Sequence, residues 1–123
     1  MDTNEITECV IGAAIAVHRA LGPGLLESAY ETCLEYELLC RGIPHERQKA
    51  IPLLYRGIAV ESAYRVDFVV GGRVIVELKA VEHLDHVHTA QVLTYLKLSG
   101  CRIGLLINFN VPLLKDGIRR LAL

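Results

Sequence analysis

Two carboxylates and one lysine lie close together in the middle of the sequence. Asp67 falls in one stretch of alternating apolar and polar residues, and Glu77 and Lys79 fall in the next stretch, after Gly71-Gly72. If Gly71-Gly72 turns the chain between antiparallel strands, Asp67 and Glu77 approach each other on one sheet face. Two apposed carboxylates repel each other, and each has a raised pKa unless a cation lies between them.

This arrangement points to metal-assisted chemistry. Mg²⁺ takes oxygen ligands and is often held by only one or two carboxylates, so it suits the space between Asp67 and Glu77. Lys79 would direct its ammonium group at the same space, where it could orient a metal-bound water or stabilise an oxyanion on a phosphate. Alternating charge along a strand is also typical of a solvated sheet face, so spacing alone leaves both interpretations open.

Two helical segments carry further polar candidates. Glu27 lies one turn into the second predicted helix, and Tyr30 follows three residues later on the same side. A carboxylate near a helix N-terminus is also stabilised by the helix dipole without any catalytic role. On a later helix, His88, Gln91 and Tyr95 form a polar stripe, which also fits the ordinary packing of an amphipathic helix.

The hydrophobic periodicity predicts the elements that would position these residues. The predicted elements are helices over about 4–21 and 26–40, strands over 49–55, 58–70 and 73–80, a helix over about 85–98, a strand over 102–109, and a short amphipathic helix within 112–123. The order is therefore α-α-β-β-β-α-β-α. A helix between the third and fourth strands indicates a right-handed crossover and a mixed four-stranded sheet flanked by helices.

Composition narrows the class of protein. A chain of 123 residues with 52% hydrophobic and 22% charged residues is too apolar for a disordered protein, and we expect one domain over 1–123. The net charge of −1 excludes a strongly basic coat protein but not an enzyme with one basic face. The acidic start and the short apolar run over 9–17 argue against a secretory signal and a membrane span. Four cysteines without metal-site spacing predict free thiols and a cytoplasmic protein.

Together, these motifs resemble a known family. Residues 24–30, GLLESAY, fit a GxxExxY motif. Asp67, then nine intervening residues, then Glu77-Leu78-Lys79 resembles the core of the PD-(D/E)XK nuclease superfamily. Gln91 and Tyr95 resemble the QxxxY signature of its exonuclease-like branch. The resemblance, to the GxxExxY family within that superfamily, covers about 6–121. Val66 stands where the superfamily's name has proline.

The resemblance implies a restriction-endonuclease-like α/β fold and a nuclease that uses Mg²⁺ or Mn²⁺ to hydrolyse phosphodiester bonds in DNA or RNA. Lys79 would position or help deprotonate the attacking water, and Glu27 would complete the metal shell directly or through water. The expected site comprises Glu27, Asp67, Glu77 and Lys79 for catalysis, Glu27, Asp67, Glu77 and the Leu78 carbonyl for the metal, and Tyr30, His88, Gln91 and Tyr95 for substrate.

Several alternatives stay open at this point. The chain could be a nuclease-fold binding or regulatory module with little or no activity, since fold does not fix function. It could also hydrolyse a small phosphoester. His83, His86 and His88 could hold a transition metal, although a polar entrance to the active face is the favoured interpretation. Scattered basic residues would hold a duplex poorly, so we expect a homodimer or a partner protein.

Overall fold

The fold is given by a computed structural model, which describes residues 1–61 and 64–123 in full. The chain begins with two helices and continues with a sheet that one further helix interrupts. The elements are α1 (Thr3–Leu21), α2 (Glu27–Cys40), β1 (His45–Tyr55), β2 (Ile58–Val70), β3 (Val74–Lys79), α3 (His86–Ser99), β4 (Ile103–Asn108), a 3-10 turn (Leu114–Gly117) and β5 (Ile118–Ala122).

The strands form one sheet in the order β1-β2-β3-β4-β5. Neighbouring strands are antiparallel except β3 and β4, which are parallel and are joined through α3. This confirms the predicted crossover, because a parallel pair needs a long connection. The restriction-endonuclease-like α/β architecture is confirmed, with five strands in place of the predicted four.

The extra strand corrects the prediction for the C-terminal segment. We expected a short amphipathic helix within 112–123, but the chain makes a 3-10 turn and then pairs β5 along β4. Ile118 packs against the core on the α1–α2 side of the sheet, and Leu121 packs on the α3 side. A spacing of three fits one helix face, but it also fits opposite faces of a strand. Pairing also covers the edge of the buried strand β4, whose backbone groups need partners.

Helices cover both faces of the sheet. The α1–α2 face includes Val10, Tyr30 and Phe109, and the α3 face includes Val92 and Leu106. Among the described residues, no helix is long and apolar enough to cross a membrane.

The side chains of β2 do not alternate regularly between the two faces of the sheet. In a regular strand the even positions of β2 would share one face, yet Val66 packs on the α3 side while Phe68 and Val70 pack on the α1–α2 side. Side chains of a regular strand alternate, so the backbone must change face at Asp67. The registers Arg47 with Phe68 and Lys49 with Val66 flank this point, and Gln48 between them has a left-handed φ of 53°.

Candidate active site

The strands β2 and β3 part where the two carboxylates lie. Their backbone pairing covers only Phe68–Val70 and Val74–Val76. Beyond it, the Asp67 N–H donates to Oε1 of Glu77 at 2.8 Å, and the Leu78 N–H donates to Oδ2 of Asp67 at 2.8 Å. Side-chain oxygens thus replace the missing backbone acceptors. This exchange holds Asp67 and Glu77 side by side, and we call them the carboxylate pair.

The carboxylate pair is buried, and no protein cation among the described residues pairs with it. Burial raises the pKa of Glu77 to about 8, and the charge of Asp67 adds to this rise. Burial raises the pKa of Asp67 to about 6 against the opposing hydrogen bond from the Leu78 N–H, and the charge of Glu31 adds to it. Among the described residues, neither carboxylate forms an ion pair. Such a site favours either protons or a bound cation.

The oxygen donors of this site fit a magnesium-like ion. Among the described residues, no group of three or more His, Cys, Asp and Glu side chains is arranged to hold a metal. Two carboxylates are nevertheless enough for Mg²⁺, which keeps several waters in its shell. The structure does not join Glu27 to the pair as a third ligand. Glu27 is exposed as the first residue of α2, and its charge raises the pKa of both Asp67 and Glu77.

Lys79 ends β3 beside the carboxylate pair. Its charge lowers the pKa of Glu77, against the larger effects of burial and Asp67. The Lys79 carbonyl accepts a hydrogen bond from the Phe109 N–H at 2.9 Å. Beyond it, buried Asn108 holds the departing chain through both the N–H of Val81, at 3.1 Å, and its carbonyl, at 2.9 Å. These bonds fix the backbone that carries Lys79.

The expected substrate contact of Tyr30 is not supported. Its side chain is fully buried, and its ring stacks on Phe109 with centroids 4.5 Å apart. Its hydroxyl donates to the Gly22 carbonyl at 2.6 Å and accepts from the Leu25 N–H at 3.1 Å. Tyr30 therefore fixes the loop that leads into α2 and Glu27.

The substrate contact expected of His88 is not supported either. His88 Nδ1 accepts the Asp85 N–H at 3.1 Å, while the Asp85 side chain accepts from the Val87 N–H, so His88 caps the start of α3. The exposed His83 and His86 form no three-ligand metal cluster with it among the described residues.

Gln91 and Tyr95 do lie at the site. Burial, together with the charges of Glu77 and Asp67, raises the pKa of Tyr95 to about 12. A hydrogen bond with Gln91 opposes this rise. The polar stripe of α3 therefore places the Tyr95 hydroxyl and the Gln91 amide at the edge of the carboxylate pair.

Gln48 and three residues that it links to the pair were not predicted from the sequence. Gln48 Nε2 donates to Oδ1 of Asp67 at 3.1 Å and to Oε1 of Glu31 at 2.8 Å. Arg47 donates to Oε2 of Glu31 at 2.7 Å and to Oε1 of Glu35 at 3.1 Å. We call Glu31, Glu35 and Arg47 the arginine cluster. The position of Glu31 one helical turn after Glu27 was the only signal in the sequence.

Comparison with known proteins agrees with this geometry. A sequence model of the PD-(D/E)XK nuclease superfamily matches residues 4–121, which is nearly the whole chain. The protein therefore belongs to the PD-(D/E)XK nuclease superfamily. No curated protein and no solved structure gives a significant match. The narrower resemblance to the GxxExxY family stays a prediction.

Proposed function

We propose that this protein is a metal-dependent nuclease that hydrolyses phosphodiester bonds in DNA or RNA, with residues 1–123 acting as one nuclease-like domain. The observation that carries the proposal is the carboxylate pair, buried and without a cationic partner, beside Lys79. Membership of the superfamily supports nuclease chemistry. Mg²⁺ or Mn²⁺ is the proposed cofactor.

Each residue of the site has a distinct part in this proposal. Asp67, Glu77 and the Leu78 carbonyl would hold the metal, and Glu27 would reach it through water. The metal, when bound, supplies positive charge against the phosphate and lowers the pKa of its water. Lys79 orients the attacking water or offsets charge on the phosphate oxygens. Gln91 and Tyr95 contact the substrate or brace the site.

Cleavage of labelled single- and double-stranded DNA and RNA with Mg²⁺, Mn²⁺ or EDTA tests the proposal. We expect metal-dependent cutting that falls at least ~100-fold in Asp67→Asn and in Lys79→Ala, because each removes charge at the reacting phosphate. Asp116→Asn and Lys115→Ala, made at the exposed 3-10 turn, are the matched controls and should cut like the wild type. Cutting that persists in Asp67→Asn and Lys79→Ala would refute the mechanism and point to a contaminant.

A binding or regulatory module without activity is the second candidate. The lack of a third ligand beside the carboxylate pair, among the described residues, favours it. This candidate predicts that the wild type retains nucleic-acid strands but cuts none of them with either metal.

We further propose that the protein acts in the cytoplasm as a homodimer or with a partner protein. All four cysteines are free thiols, which suits a reducing compartment. Of the basic side chains, Arg41, Arg47 and Lys49 are already paired with glutamates, and tight duplex binding needs many phosphate contacts. Light scattering after size-exclusion chromatography should give a mass above one chain. A strict monomer without a copurifying partner would contradict this proposal.

A further inference from the structure

 A small cleft opens between β2 and α3 next to the carboxylate pair. The cleft has a volume of about 240 Å³. The cleft is lined by Tyr64, Val87, Ala90, Gln91, Thr94 and Tyr95. Tyr64 and Tyr95 meet edge to face, with ring centroids 5.7 Å apart and planes at 65°.

Two residues that line the cleft connect it to the proposed reaction centre. Tyr64 precedes Asp67 by three residues on β2, about 10 Å of strand. Tyr95 is close enough to the carboxylate pair that both charges raise its pKa. A group held in the cleft therefore lies beside any phosphate at the carboxylates.

The lining favours a flat ring with a polar edge. None of the described residues that line the cleft is charged, so the cleft offers no countercharge to a phosphate. Aromatic and aliphatic walls suit the face of a ring, and the Gln91 amide and Thr94 hydroxyl suit its polar edge. Val87 on the rim is 73% exposed, which leaves an apolar surface open to an incoming group.

Size restricts the occupant further. Pockets for drug-sized ligands have volumes of roughly 300–1,000 Å³, and this cleft is smaller. It has room for one ring system but not for a base pair. A base can enter only if it is unpaired, as in a single strand or at a frayed end.

We propose that this cleft, between Tyr64 of β2 and the Val87–Tyr95 face of α3, binds one unpaired nucleobase next to the scissile phosphate. The proposal rests on the proposed nuclease function and narrows its substrate to strands with an unpaired base at that position. Tyr64 is then a substrate-binding residue that no sequence motif indicated.

Binding of 5′-fluorescein-labelled oligothymidylate, followed by fluorescence anisotropy in EDTA and in Ca²⁺, tests the cleft without requiring cleavage. Stacking on an aromatic side chain is sequence-tolerant, and its removal should weaken binding about tenfold or more. We expect that loss in Tyr64→Ala and recovery in Tyr64→Phe, which keeps the ring. A blunt duplex of the same length should bind Tyr64→Ala and the wild type alike.

Two further variants separate the cleft from general damage. Ala90→Phe adds a ring at the exposed rim and should block the cleft without removing a buried atom. Tyr36→Ala removes a more exposed tyrosine, on α2 and outside the cleft, and should bind like the wild type. Thermal unfolding of each variant shows whether it is folded.

An abasic residue scanned along the strand locates the base. At one position it should weaken wild-type binding as much as Tyr64→Ala does, and it should add little to that variant. Equal binding by Tyr64→Ala, Ala90→Phe and Tyr36→Ala would overturn the proposal, as would equal losses for the single strand and the duplex. Base-dependent binding without cleavage would refute the nuclease and keep the cleft, whereas cleavage without base dependence would do the reverse.

Discussion

The arginine cluster and the carboxylate pair place carboxylate side chains in opposite electrostatic environments. In the arginine cluster, Arg47 bonds both Glu31 and Glu35, and His45 also bonds Glu35 at 3.0 Å. Although burial opposes it, these hydrogen bonds lower the pKa of Glu35. In the carboxylate pair no cationic side chain of the described residues is bonded, and both pKa values rise.

The contrast separates carboxylates that ion pairs hold in the fold from carboxylates that are available to bind a proton or a metal ion. Glu31 is as buried as Asp67, at 8% exposure each, so burial alone does not distinguish the two regions. The difference is that Arg47 neutralises the arginine cluster, whereas the carboxylate pair is available to a proton or a metal ion. Gln48 joins them through an uncharged amide, which links Glu31 to Asp67 without neutralising either.

The largest effect is expected from breaking the arginine cluster. Arg47→Ala leaves Glu31 buried without its cation, and we expect a loss of about 2–4 kcal/mol in the free energy of unfolding. Urea unfolding at pH 7 measures it. Arg41→Ala breaks the more exposed pair with Glu37 and should cost less than about 1 kcal/mol. Equal losses in the two variants would contradict a structural role for the cluster.

A divalent metal should stabilise the protein through the carboxylate pair alone. With Mn²⁺ at about 100 times its dissociation constant, we expect a gain of about 2.7 kcal/mol in the free energy of unfolding. The gain should disappear in Asp67→Asn and persist in Glu35→Gln, which alters the arginine cluster. Denaturation with and without metal gives the comparison. A gain that survives Asp67→Asn would place the metal elsewhere.

The two regions should also respond to pH in opposite directions. The folded-state pKa of Asp67 is about 6 and that of Glu77 about 8, so the folded protein binds protons more strongly than the unfolded chain. Metal-free stability should therefore fall as pH rises from about 4 towards 8, by roughly 1–3 kcal/mol. The lowered pKa of Glu35 acts oppositely, and its contribution is lost as pH falls below about 4.

Unfolding in EDTA across this pH range measures both changes in stability: the decline between pH 4 and 8, which we call the upper limb, and the decline below about pH 4, which we call the acid limb. Glu77→Gln removes the upper titration and should raise stability at pH 8 while flattening the upper limb. Glu35→Gln should change only the acid limb. A Glu77→Gln protein that keeps the full decline between pH 4 and 8 would show that the pair does not cause it.

Sequence patterns were sufficient to predict that Asp67 and Glu77 lie close together. Gly71 and Gly72 both have positive φ, at 60° and 68°, as a tight hairpin turn requires. Once that turn is fixed, the register brings the two positions together. The helix–strand order followed from hydrophobic periods, and it failed only in the C-terminal segment, where the Ile118–Leu121 spacing fits a helix and a strand equally.

The arginine cluster and Gln48 could not be predicted in the same way. The first residues of β1, from His45 to Gln48, have no apolar alternation, so the predicted strand began at Lys49. A left-handed glutamine has no sequence signature, and the change of face at Asp67 breaks the two-residue period on which the prediction rested. Long-range contacts determine these features, and such contacts produce no local pattern in the sequence.

The smallest effect on stability is expected at Gln48, where the two regions meet. Gln48→Gly removes both hydrogen bonds but relieves the left-handed backbone, so the free energy of unfolding should change by less than about 1 kcal/mol. Gln48→Ala removes the same bonds and keeps the backbone strain, so it should be about 1 kcal/mol less stable than Gln48→Gly. Because the amide fixes Asp67, both variants should bind Mn²⁺ about tenfold more weakly in calorimetry. Wild-type Mn²⁺ affinity in Gln48→Gly would show that the amide supports the fold and not the carboxylate pair.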